Sequence, residues 1–154
     1  MNDNAKRWVE ALRSGEYAQT TGVLHRIEEE GTGEPVGFCC LGVACDLAVK
    51  AGVIEVGEVE ESYAGRSIEA YLDADGMTYS EFLPKEVRDW LGLCDESGTY
   101  EYAEGKQRSL TLLNDGRKTV TPTTESIDQH TFEQVADVIE SEPEGLFCDK
   151  PLPE

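Results

Sequence analysis

Residues 39–52, Cys-Cys-Leu-Gly-Val-Ala-Cys-Asp-Leu-Ala-Val-Lys-Ala-Gly, constrain this chain more than any other stretch. From residue 41 to residue 51 the side chains are small and apolar. Cys40, Ala44, Leu47, Ala48 and Ala51 recur at spacings that share one helical face, and Gly52 supplies the stop. A helix with so few charges belongs in the centre of a domain, and the remaining segments have to pack around it.

Several segments have the pattern to do so. Residues 4–14 place Ala5, Trp8, Val9 and Leu12 at i, i+3, i+4 and i+7, with Lys6, Arg7, Glu10 and Arg13 elsewhere on the wheel. That is an amphipathic helix, capped by Asn2 or Asp3 and ended by Gly15. Phe132, Val135, Ala136 and Ile139 repeat the spacing behind a capping box formed by Thr131 and Gln134. Pro84 suits the first turn of a short helix that carries Val87, Trp90 and Leu91 and stops at Gly92.

Strand signals lie between these helices. Residues 23–27 and the apolar residues 36–40 flank the turn-rich Gly31-Thr32-Gly33-Glu34-Pro35, which predicts a hairpin. Asp75-Gly76, between Ile68/Ala70/Leu72 and Met77/Tyr79, predicts another. Glu55, Glu58, Glu60 and Glu61 interrupt the valines and leave the rest of 53–83 open. Residues 99–103 read as a strand, 110–113 as a helical turn or a strand, and Asn114-Asp115-Gly116 as a turn. From Glu142 onward Pro143, Pro151 and Pro153 prevent further helix, so the tail is expected over the surface through Leu146 and Phe147. No solenoid repeat is present. The expected fold is α+β: a single compact domain over residues 1–142 with four to five short helices and one or two hairpins, then a proline-containing tail over 143–154.

Composition narrows the class of function. A chain of 154 residues, 39% of them hydrophobic, can bury one core without a staple. No apolar stretch approaches the roughly 20 residues of a membrane span, and residues 1–8 lack the apolar core of a signal peptide. A cytoplasmic location is therefore expected, and five cysteines, an odd set without a regular spacing, are expected to be reduced. With 32 acidic and 13 basic residues the formal charge is −19, which opposes direct contact with nucleic acid or anionic membranes.

Three features bear on chemistry. In Cys39-Cys40-Leu41-Gly42-Val43-Ala44-Cys45, a thiol at a helix start gains thiolate character, so Cys40 is a candidate nucleophile with His25 or His130 as base. Burial as small core residues is the competing role for these thiols. Cys39, Cys40 and Cys45 are also weak metal candidates, because their spacing lacks paired C-x2-C knuckles. The second feature is a local excess of base: residues 105–124 hold Lys106, Arg108, Arg117 and Lys118 against Asp115 alone. Such a cluster beside a glycine turn suits a phosphate or a small nucleotide, although exposed loops carry such charges without any ligand. The third is acid density, fourteen acids to three bases over 54–104 and nine to one over 125–154. This density permits imitation of a nucleic-acid backbone towards a basic protein, and it also simply aids solubility. There is no P-loop, G-x-G-x-x-G, H-E-x-x-H or G-x-S-x-G, and no cofactor is expected.

The ordered blocks Trp8-Val9-Glu10-Ala11-Leu12-Arg13-Ser14-Gly15-Glu16-Tyr17, Phe38-Cys39-Cys40-Leu41-Gly42-Val43-Ala44-Cys45-Asp46, Leu83-Pro84 with Trp90-Leu91-Gly92, and Leu112-Leu113-Asn114-Asp115 with residues 132–139 resemble a functionally uncharacterised group of small phage-encoded accessory proteins. The resemblance implies a phage or prophage origin and a host-cytoplasmic setting, and it assigns no catalytic residue. The leading expectation is a non-enzymatic binding protein, a counter-defence factor that sequesters a small nucleotide at Lys106, Arg108, Arg117 and Lys118. Its alternatives are an acidic inhibitor of a basic host protein and a thiol hydrolase using Cys40; self-association is left open.

Overall fold

The computed structural model describes residues 1–28, 36–61, 67–118 and 126–148. Among these residues are five helices and two antiparallel sheets in one α+β domain. The Gly31–Pro35 turn and the end of the tail lie outside them.

Helix α1 (Asp3–Arg13) starts where the Asn2 side chain accepts the Ala5 N–H at 2.8 Å, and it buries Ala5, Trp8, Val9 and Leu12. Helix α2 (Cys40–Lys50) lies at the centre, as its composition demands, with seven buried residues. Trp8 reaches it directly: its indole N–H donates to the Cys40 carbonyl at 2.8 Å, a buried bond that joins the first helix to the start of the second. Gly42 of α2 is required by close approach. A Cβ there would sit 1.7 Å from the Leu24 carbonyl oxygen, so the helix lies flat against the chain entering the sheet.

The larger sheet holds β1 (His25–Glu28), β2 (Gly37–Phe38), β3 (Glu55–Glu61), β4 (Ser67–Leu72) and β5 (Thr78–Tyr79). Both predicted hairpins form: β1 pairs with β2 through His25 and Phe38, and β4 with β5 through Leu72 and Thr78. Strand β4 is central. β3 runs along one of its sides, while β1 and β5 share the other.

Helix α3 (Lys85–Leu91) follows Pro84 and ends at Gly92, whose φ of 79° provides a left-handed stop. The smaller sheet is the hairpin β6 (Thr99–Ala103) and β7 (Lys106–Ser109). Sequence periodicity gave no sign of β7, because its residues are Lys-Gln-Arg-Ser. Cross-strand pairing with β6 decides it. The open choice at 110–113 resolves as helix α4 (Leu110–Asp115), capped by Ser109, whose hydroxyl accepts the Leu112 N–H at 3.1 Å. Helix α5 (Phe132–Glu140) carries the expected capping box. It packs against α1, where Arg13 bridges Asp137 and Glu140.

Two expectations need correction. The segment after α5 does not merely lie on the surface, for Leu146 is fully buried. It is held by Cys94 N–H to the Leu146 carbonyl at 3.0 Å and by Cys148 N–H to the Gly92 carbonyl at 2.8 Å. That pairing brings the α-carbons of Cys94 and Cys148 to 4.9 Å, and the two form a disulfide. The remaining three cysteines are free and buried.

Candidate binding surfaces

The cysteine block builds the start of α2. Cys39 is its cap: the Sγ accepts the Gly42 N–H at 3.3 Å in the place usually taken by a serine or aspartate oxygen. Burial pushes the Cys39 thiol up to about 12 and holds Cys40 and Cys45 well above the ordinary thiol range. The Cys40 thiol donates to the Leu110 carbonyl at 3.6 Å. His25 instead faces Glu69 at 3.1 Å and stacks on Phe38 with ring centroids 3.9 Å apart, and His130 Nδ1 donates to the Asp128 carbonyl at 2.9 Å. Buried, protonated thiols bonded away from both imidazoles give nucleophilic catalysis no geometric support. Among the described residues no three His, Cys, Asp or Glu side chains gather as a metal would need.

The Leu112-Leu113-Asn114-Asp115 block proves to be a clamp. Asn114 is fully buried. Its Oδ1 accepts the Cys40 N–H at 3.0 Å and the Gln19 amide at 3.0 Å, while its Nδ2 donates to the Thr20 carbonyl and to Asp115, both at 2.9 Å. One side chain thus satisfies a backbone donor at the N-terminus of α2 and ties α4 to the segment before β1. Arg26, 1% exposed, joins the same region by donating to the Thr20 hydroxyl at 3.2 Å and the Thr21 carbonyl at 3.0 Å. The sequence pattern marks Asn114 only as part of a turn and does not single out Arg26. A polar residue between Leu113 and a helix stop was the available signal for Asn114.

The four basic candidates stand on two stretches of the chain. Lys106 and Arg108 lie on β7, where the Arg108 guanidinium sits 3.9 Å from the centroid of the Tyr102 ring. Arg117 and Lys118 follow α4 and line an open cleft of about 360 Å³ together with Asp115, Ser126, Asp128 and Gln129. The cleft takes two of the four bases, and it also carries two carboxylates.

Acidic side chains are organised most clearly at β3, Glu-Val-Gly-Glu-Val-Glu-Glu. Glu55, Val56, Glu58 and Val59 are all exposed, the two valines by 44% and 52%. Pairing with β4 matches Glu55 with Leu72, Val56 with Tyr71 and Val59 with Glu69, with a register shift between Val56 and Val59. That shift is a β-bulge, and it has a consequence for the faces. Tyr71 and Glu69 are two residues apart on one face of β4, so Val56 and Val59, three apart in sequence, share a face as well. Glu55 takes the opposite face. Among the described residues, no strand pairs with the outer side of β3.

Fold and surface together define a small, acidic α+β protein with a buried thiol-rich central helix, a polar clamp beneath it and an open acidic sheet edge. The chain belongs to the family described as a domain of unknown function, DUF8296, whose model matches residues 1–143. No curated protein and no solved structure matches it. No helix among the described residues is long and apolar enough to cross a membrane.

Proposed function

We propose that this protein is a non-enzymatic binding protein that engages a basic protein through its acidic surface. The exposed β3 edge carries the reading, because it combines an outer side without a strand partner among the described residues, carboxylates and exposed valines in one place. A charge of −19 draws a basic partner in over distance, while apolar contacts retain it. The resemblance to phage-encoded accessory proteins supports a setting in the infected bacterial cytoplasm, with a basic host protein as target and interference with a host defence as the outcome.

The test is retention of bacterial cytoplasmic proteins on the immobilised protein and on a Glu55→Lys/Glu58→Lys variant at low and high salt. The expected result is a basic protein that is held at low salt, released at high salt and lost from the variant. Retention that ignores both salt and charge reversal would overturn the reading.

A second reading, sequestration of a small nucleotide, is supported by the cleft that presents Arg117 and Lys118. It predicts a retained mass of a few hundred daltons in native spectra, lost on Arg117→Glu/Lys118→Glu and unaffected by changes at β3.

A further inference from the structure

We infer that β3 takes up an extended basic segment of its partner as an added strand, one whose side chains alternate between lysine or arginine and a branched apolar residue. This rests on the reading of the acidic surface above and specifies how that surface is used.

Three observations converge on the edge. Its outer backbone groups have no strand partner among the described residues, and an edge strand in this state is a template for main-chain hydrogen bonds. Its two faces differ: the bulge gathers Val56 and Val59 on one, while Glu55 occupies the other and Glu58 stands exposed within the bulge. A strand laid beside it sends successive side chains to alternate faces, so an alternating sequence meets valines with its apolar set and carboxylate with its basic set. Charge selects the occupant. A second copy of β3 would bring a strand with four glutamates and no base against its like, and like charges across a strand pair are destabilising. The edge therefore disfavours its own kind and favours an oppositely charged segment.

The probe is an acetylated, amidated heptapeptide alternating lysine and valine, titrated into the isotope-labelled full chain and followed through backbone amide signals. Two further peptides carry the same charges but are N-methylated at every lysine or at every valine. In strand addition only alternate residues of the guest donate to the edge. One methylated peptide should therefore lose at least tenfold in affinity while the other binds within about twofold of the parent. The β3 amides should shift and become protected from exchange, and Glu55→Lys/Glu58→Lys should transfer preference to a glutamate–valine peptide. Equal binding of all three peptides would overturn strand addition and leave a purely electrostatic surface. Equal loss in both methylated peptides, or no binding of the parent, would also overturn it. The salt-sensitive retention experiment judges the broader reading separately, so the two failures are distinguishable.

Discussion

The centre of the molecule and its β3 edge are built on opposite terms. Around α2 the contacts are close and specific: Gly42 lies against the Leu24 backbone, Trp8 bonds to Cys40, and Asn114 uses both ends of its amide. At β3 adjacent residues are exposed on both faces, and the strand is held chiefly by its ladder to β4. Stability is thus concentrated around α2, while exposed side chains lie where substitution disturbs little. This division is compatible with the proposed binding role, in which a contact surface can change without risk to the core.

The sharpest way to break the comparison is a single methyl group. Gly42→Ala should cost upward of about 3 kcal/mol, because the new Cβ meets backbone that cannot move aside. Gly57→Ala, on the edge, puts its Cβ 3.1 Å from the Ala70 carbonyl oxygen and should cost under about 1 kcal/mol. Urea unfolding of both variants measures the contrast, and equal losses would remove the distinction between centre and edge.

Asn114→Ala comes next. It strands the buried Cys40 N–H and several partners, so a loss of about 3 kcal/mol is expected. Thermal denaturation should show it, and a neutral result would mean that the clamp is dispensable. Replacing Cys94 and Cys148 together by serine should then lower stability by about 2 kcal/mol. That is the low end for such a loop, since the Leu93–Phe147 pairing still holds both segments. Val56→Thr and Val59→Thr should each stay within about 0.5 kcal/mol of the parent while weakening the peptide interaction.

Smallest is a pH effect at Asp95. Burial pushes this carboxyl up, but hydrogen bonds from Thr99, Ser97 and Gly98 outweigh it and hold the group below the usual carboxylate range. A depressed folded value means the contribution is present above the unfolded value and is lost as pH falls through the folded one. Asp95→Asn should therefore lower stability slightly at neutral pH, where the ionised carboxylate contributes, and leave stability below the folded value nearly unchanged, so the acid limb flattens. An unchanged acid limb would contradict the assignment.

Much of the helical framework was legible from residues alone. Ala5, Trp8, Val9 and Leu12, the Thr131–Gln134 capping box, Pro84 with Gly92, and the Asp75-Gly76 turn all act within a few positions along the chain, which is the range periodicity can report. Strand β7 is not legible in the sequence because Lys106 to Ser109 carry no alternating apolar pattern. The candidate surfaces were legible as composition but not as geometry. Four basic residues within thirteen positions suggest one cluster; Lys106 and Arg108 lie on β7 and Arg117 and Lys118 follow α4, so their grouping depends on how those two elements pack and not on the count. At β3 the glutamates obscured the strand itself, and the shared face of Val56 and Val59 depends on a bulge visible only against β4.

By itself the sequence determined a single acidic α+β domain around a buried helix over residues 41–51, because helix periodicity, caps and turn chemistry depend on neighbours three or four residues away. Only the tertiary structure decided that Asn114 would serve Cys40 across 74 positions, that Cys94 would meet Cys148 across 54, and that β3 would be the outermost strand of its sheet among the described residues. Those outcomes depend on which surfaces come together once the core closes, and a partner so distant leaves no period in the chain.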